Sequence, residues 1–211
     1  MKQLNNDYRT YQELVEEILE CKKCRLWSGR KNAVPGEGPL NAKIMLIGEA
    51  PGRMEDLEGR PFVGAAGKLL TKLLSDIGLS REEVYITNLI KCRPPQNRDP
   101  LPDEIEACSP YLDRQIRLLM PKIIVTLGRH STKYILSKCG MRVSSIGQVR
   151  GKVFLMKLNN SLIKVIPTYH PAVALYNPKM KIFLEEDFRR IIKKEIDNLS
   201  KSKAVTIEDF F

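Results

Sequence analysis

The sequence predicts an α/β protein whose central sheet holds four parallel strands covered by helices on both faces. Three observations carry that prediction. Short apolar runs at Ile44 to Ile47, Val84 to Ile90, Ile123 to Leu127 and Leu162 to Ile166 have the length and branched content of buried strands. Longer stretches with apolar residues at helical spacing separate them, and strands that alternate with helices build parallel sheets. The runs give way to Gly, Pro and Asn, so functional loops are expected outside the carboxyl ends of the strands, where open α/β sheets bind ligands.

The chain opens with Leu4, Tyr8, Tyr11, Leu14, Val15, Ile18 and Leu19 on one face of an amphipathic helix that leads to Cys21 and Cys24. Gly, Pro, Asn and charged residues from Arg25 to Ala42 read as loop, with Val34 and Pro35 as a short edge segment. After the first strand, Gly48-Glu49-Ala50-Pro51-Gly52-Arg53-Met54-Glu55-Asp56 runs on to Gly59-Arg60-Pro61-Phe62-Val63-Gly64-Ala65-Ala66-Gly67. This is a strand-to-helix loop. Its glycines and prolines permit tight backbone paths, whereas its carboxylates and Phe62 are not required there by solvation alone. Ala66, Leu69, Leu70, Leu73, Leu74 and Ile77 give the next helix. The second strand stops at residues 91–100, whose prolines oppose both sheet and helix. Pro102-Asp103-Glu104 then starts a helix, with proline in the first turn and carboxylates at the positive end of the dipole. Ile105, Cys108, Leu112, Ile116 and Leu119 continue it. The third strand turns at Gly128 into a short helix that reaches Lys138, and the fourth ends at Pro167-Thr168-Tyr169-His170-Pro171. Leu184, Phe188, Ile191, Ile192, Ile196 and Leu199 line a long last helix. Residues 1–200 are therefore read as one domain and 201–211 as a tail.

Thirty-five Lys and Arg against 25 Asp and Glu leave a net charge of +10, which favours a polyanionic partner such as nucleic acid through phosphate neutralisation. No apolar run reaches the ~18 residues of a membrane span, and no signal-peptide core follows Met1. An intracellular, cytoplasmic protein is expected. Five cysteines in such a compartment point to metal ligation or free thiols over disulfides. Cys21 and Cys24, two residues apart, can face one ion or cluster together with Cys92, just past a strand, and Cys108, inside the following helix. Four thiolates suit zinc and an iron-sulfur cluster equally well, and Cys92 and Cys108 also suit plain burial. Cys139 has no partner at a suggestive spacing.

Together these motifs resemble the thermostable iron-sulfur uracil-DNA glycosylases known as family 4. The resemblance is carried by Gly48 to Gly52, Glu55-Asp56, Gly59 to Gly64, Thr87-Asn88, Lys91-Cys92-Arg93-Pro94-Pro95 and Tyr169-His170-Pro171, and spans roughly residues 20 to 195. It implies a three-layer α/β/α sandwich, a 4Fe-4S cluster on Cys21, Cys24, Cys92 and Cys108, and hydrolysis of the N-glycosidic bond of deoxyuridine in DNA. Glu49 stands where a sister family usually has an apolar residue.

In such a site Phe62 is expected to stack on a uracil swung out of the helix, a contact of about 1 to 3 kcal/mol in single-strand binders. Asn88 offers one acceptor and one donor that match uracil and not cytosine. His170, neutral, is the expected donor to uracil O2 as negative charge builds there. Ala50 occupies the place where other glycosylases carry a water-activating carboxylate. Glu49 or Glu55 is expected to orient the water or stabilise the cationic sugar, with Glu55 favoured for the water and Glu49 for holding the loop. Leu175 and Tyr176 are expected to fill the gap left by the base. Arg53, Lys91, Arg93 and Arg98 are expected phosphate contacts. The tail, with Ile207, Phe210 and Phe211, looks like a sliding-clamp binding peptide in which Ala204 replaces the usual leading Gln. A monomer is expected.

Overall fold

The computed structural model describes residues 2–201, with side chains from 9 to 199. Residue 201 of the expected tail closes the last helix, and residues 202–211, with the clamp-binding reading, lie outside the described residues. Five strands form one sheet in the order β2-β1-β3-β5-β4: β1 Ile44–Gly48, β2 Tyr85–Asn88, β3 Ile123–Leu127, β4 Phe154–Leu158 and β5 Ser161–Thr168. β1, β2, β3 and β5 run parallel. β4 is antiparallel to β5.

The expected four-stranded, all-parallel sheet is thus corrected to a mixed sheet of five. β4 and β5 are joined by Asn159-Asn160, and Asn159 adopts φ +52°, the left-handed conformation a two-residue hairpin turn requires. β4 was hidden because only Met156 of it is fully buried. An edge strand with one inward face shows a weaker apolar signal than the central runs.

The central strands bury both faces, and their alternation sorts the two halves of the core. Met45, Ile47, Ile124 and Val165 pack with α1 (Lys2–Leu19), α4 (Pro102–Leu119) and α5 (Arg129–Ser137). Ile44, Leu46, Val125 and Ile166 face α3 (Ala65–Ser75) and α8 (Pro178–Glu186). The result is a sheet between two helical layers. Between α1 and α8, short helices α2 (Arg53–Glu58), α6 (Ile146–Val149) and α7 (Pro171–Tyr176) fill the connections. A π-helical turn at Asp187–Ile192 joins α8 to α9 (Lys193–Lys201). Buried Asp187 there accepts from Thr168 Oγ1 at 2.6 Å and from Arg150 Nη2 at 2.9 Å, tying the end of β5 to the helical layer.

Register decides where a ligand can sit. Gly48 pairs with Asn88, and Leu127 with Thr168, so the parallel strands finish level and their loops open on one edge. Sheet order reverses at β1 and β3, the switch point at which doubly wound sheets form a crevice. Beneath that crevice α3 begins against the Phe62 backbone: a Cβ on Gly67 would lie 1.8 Å from the Phe62 carbonyl oxygen. Helix propensity alone predicts that Gly67→Ala gains about 1 kcal/mol. The contact predicts instead a loss of about 1 to 3 kcal/mol, read as a lower unfolding midpoint.

Candidate active site

A cavity of about 340 Å³ opens at the strand ends, with Glu49, Phe62, Asn88, Arg98 and His170 in its wall. Gly48 makes the central approach possible. A Cβ there would stand 2.3 Å from Asn88 Oδ1 and 2.7 Å from the Phe62 ring, so any side chain would push the amide and the ring apart. Phe62 itself adopts φ +51°, a conformation that costs a non-glycine residue about 1 to 2 kcal/mol.

The surrounding turn is held on both sides. Glu55 Oε1 accepts from the N–H groups of Val63 and Gly64, each at 2.9 Å, and its Oε2 accepts from Gly52 N at 3.1 Å. From the other side Arg81 donates to the Phe62 carbonyl at 2.9 Å and to that of Pro61. Arg81 is fixed in turn by Glu37 at 2.6 Å. Both Glu55 oxygens accept from backbone N–H groups that hold the loop, and the carboxylate also lines the cavity.

Asn88 is 1% exposed. Among the described residues its Oδ1 is the buried side-chain oxygen without a hydrogen-bond partner, and leaving such an atom unpaired costs about 1 to 3 kcal/mol. The His170 ring lies 5.5 Å from the Phe62 ring at an interplanar angle of 28°. His170 Nδ1 accepts from Ala172 N at 3.1 Å, capping α7. A ring nitrogen that accepts carries no proton, so Nε2 holds it and is the donor. Burial draws the imidazole pKa down to about 4, with Glu55 opposing the shift.

Glu49 stands at the cavity mouth, half-buried, and burial pushes its carboxyl pKa up while His130 and Arg129 oppose the rise. His130 Nε2 lies 4.0 Å from Glu49 Oε2 and 3.6 Å from Asp99 Oδ1. The His130 backbone also hydrogen-bonds to the Glu49 carboxylate. Ala50 lines the cavity beside it.

On the opposite side of the β2 loop, Cys21, Cys24, Cys92 and Cys108 line one small cavity. All are free thiols. Lys23 N donates to Cys21 Sγ at 3.5 Å, Arg30 Nη1 to Cys92 Sγ at 3.1 Å and Lys91 N to Cys108 Sγ at 3.2 Å. Donors aimed at sulfur, with cationic residues around it, suit thiolates that ligate a metal centre. Cys139 stays outside this set and bonds to Ile135 O.

The profile of the Uracil DNA glycosylase superfamily matches residues 35–195. The type-4 uracil-DNA glycosylase of Sulfurisphaera tokodaii is 64% identical over 181 residues, 85% of this chain and 82% of that one. That of Saccharolobus solfataricus is 58% identical over 198 residues, covering 93% and 89%. The chain belongs to the type-4 uracil-DNA glycosylases. A type-5 enzyme of Pyrobaculum aerophilum is more distant, at 30% identity over 193 residues, 77% of this chain and 82% of that one.

Against the expectations for a type-4 glycosylase, one residue must be moved. Lys91 is 1% exposed, and its Nζ donates to Thr87 Oγ1, Asn88 O and Gln115 Oε1, each at 2.7 Å. Buried among neutral acceptors, it has its pKa drawn down to about 7. It cannot reach a phosphate. Arg53 is exposed and Arg93 half-exposed, while Arg98 is partly engaged, holding buried Glu104 at 2.6 and 2.8 Å. Leu175 and Tyr176 project from the end of α7, with Tyr176 88% exposed. Sequence reasoning missed Arg81, His130 and Asp99. That only two histidines exist was the available signal for His130.

The His170 geometry predicts a titration. Its ring resonances should move near pH 4 by NMR and stay constant above about pH 5. Because the folded pKa of about 4 lies below the ordinary imidazole value of about 6.5, the unfolded chain binds more protons between them, and stability must fall as pH drops through that window. His170→Asn should remove that part of the slope.

Proposed function

We propose that this chain excises uracil from DNA by hydrolysing its N-glycosidic bond, using the cavity at the strand ends as the receptor for the flipped base. The observation that carries the reading is the unpartnered, buried Asn88 Oδ1 set over Gly48 beside the Phe62 ring. It awaits a donor. Uracil N3–H supplies one, and uracil O4 accepts from the amide nitrogen of Asn88. Cytosine reverses both groups and leaves the buried amide unpaired, a mismatch that sites of this kind turn into discrimination of about 10⁴ to 10⁵.

Phe62 gives the base a face to stack on. As the C1′–N1 bond breaks, its electron pair leaves with uracil and spreads over N1 and O2, while positive charge builds on the sugar. Neutral His170 donates from Nε2 to O2, and a neutral donor there spares the site a buried imidazolium. Glu49 takes the role first expected of Glu55: a carboxylate at the cavity mouth with its pKa raised by burial accepts the proton of the water whose oxygen bonds to C1′. A backbone N–H of the loop around Ala50 assists at O2. Arg53, Arg93 and Arg98 contact phosphates, and Leu175 and Tyr176 fill the vacated step.

Cys21, Cys24, Cys92 and Cys108 would hold a 4Fe-4S cluster, which would tie the chain after α1 to the β2 loop and α4 without taking part in the hydrolysis. The N–H donors directed at three of the sulfurs support that assignment.

A uracil-containing oligonucleotide incubated with the protein and then treated with alkali should break at the uracil. An intact strand would refute the reading. Asn88→Ala should lower the single-turnover rate by at least about 100-fold, since a donor on uracil loses its partner. Protein as purified should absorb near ~400 nm, and Cys108→Ser should bleach that band and lower the melting temperature.

A further inference from the structure

Lys91 has no part in DNA contact, yet it occupies the most connected position near the cavity. Its side chain is a buried cation with no carboxylate among its hydrogen-bond partners, an arrangement that is costly unless every proton is used. Each of its three acceptors has its remaining hydrogens committed elsewhere. Thr87 donates its hydroxyl to Pro35 O at 2.7 Å, and Gln115 donates its amide to Pro35 O at 2.9 Å and to Tyr85 Oη at 3.0 Å. Asn88 O is a carbonyl. Three acceptors at 2.7 Å therefore demand three hydrogens from one nitrogen, which only the ammonium form supplies.

The same residue faces two sites. Through its side chain it grips the carbonyl of Asn88, the residue whose amide borders the cavity. Through its backbone N–H it grips Cys108 Sγ at 3.2 Å, and its chain neighbour is Cys92. Beyond the end of β2, Leu89 N donates to Gly48 O at 3.0 Å, Ile90 N to Glu49 O at 3.1 Å and Val34 N to Lys91 O at 2.8 Å. To these backbone bonds the ammonium adds a side-chain tripod anchored on Thr87 in β2 and Gln115 in α4.

We propose that Lys91 is a positioning residue for uracil recognition: its buried ammonium fixes the backbone of Asn88 and links the base-reading amide to the cysteine site. The inference rests on Asn88 reading the base. Removing the tripod leaves Asn88 able to turn, so the pocket keeps its residues and loses its selectivity. DNA binding outside the pocket is untouched, because Lys91 meets no phosphate.

The test uses Lys91→Met and the milder, nearly isosteric Thr87→Val, which removes one acceptor of the tripod and keeps the fold if Lys91→Met does not. Three readouts are compared with the unaltered protein: inhibition by free uracil, affinity for an oligonucleotide carrying an abasic-site analogue, and absorbance near ~400 nm for cluster content. Lys91→Met is expected to weaken uracil inhibition at least tenfold, with Thr87→Val in between. Abasic-DNA affinity should stay within twofold and cluster absorbance should be retained. Unchanged uracil inhibition in the folded variants would overturn the proposal, as would equal losses of uracil and abasic-DNA binding, which mark a general structural role. Asn88→Ala run alongside separates the two layers. If it too leaves uracil inhibition unchanged, the Asn88 reading fails; if it alone weakens inhibition, only the role of Lys91 fails.

Discussion

A Cβ at position 48 would collide with both the Asn88 amide and the Phe62 ring, so the two groups that would meet a flat polar ligand are neighbours only because β1 ends in glycine. Everything else in the site serves that approach. Parallel register brings Gly48 and Asn88 side by side. Phe62 reaches over them by adopting a left-handed backbone, and a strained residue of that kind persists only where its surroundings over-determine it. Here Glu55 supplies acceptors on one side of the turn and Arg81 donors on the other, while α3 presses its Gly67 against the Phe62 carbonyl.

The electrostatics are divided: Phe62, Asn88 and His170 offer the cavity polarity without charge, while Glu49, Glu55 and Arg98 also line it. His170 is kept neutral by burial, Asn88 presents a bare carbonyl-type oxygen, and Lys91 is turned onto neutral acceptors. Glu49, Asp99, Arg129 and His130 form a polar cluster at its edge. A pocket of this kind desolvates a neutral base at modest cost and reserves its donors for the charge that develops as the base departs.

Much of this was legible in the residues. The central strands declared themselves because both faces are buried and their apolar runs are unbroken, and the gathering of Phe62, Asn88 and His170 followed from loops that leave parallel strands on one edge. β4 escaped because a half-exposed edge strand carries too few apolar residues to stand out from loop. The surroundings of Glu49 and Glu55 were not legible for another reason. Both lie in one loop with similar surroundings in sequence, and what separates them is the direction of three backbone N–H groups, which only the folded turn defines. Lys91 was misread because a lysine beside Cys92 and Arg93 looks solvated. Its acceptors include Gln115, a residue 24 positions away whose meeting with β2 depends on how α4 docks.

The β2 loop unites the two halves of the molecule. In the five residues from Asn88 to Cys92 the chain passes from the edge of the cavity through a buried ammonium to a ligand-type thiol, and Cys108 answers from α4 across the Lys91 N–H. The main chain of this segment is held by Leu89 N to Gly48 O at 3.0 Å, Ile90 N to Glu49 O at 3.1 Å and Val34 N to Lys91 O at 2.8 Å. The ammonium adds three side-chain bonds to these before the chain is broken by Pro94 and Pro95. Lys91 therefore bonds to the edge of the cavity through its side chain and to the cysteine cluster through its backbone, though no cysteine borders the cavity.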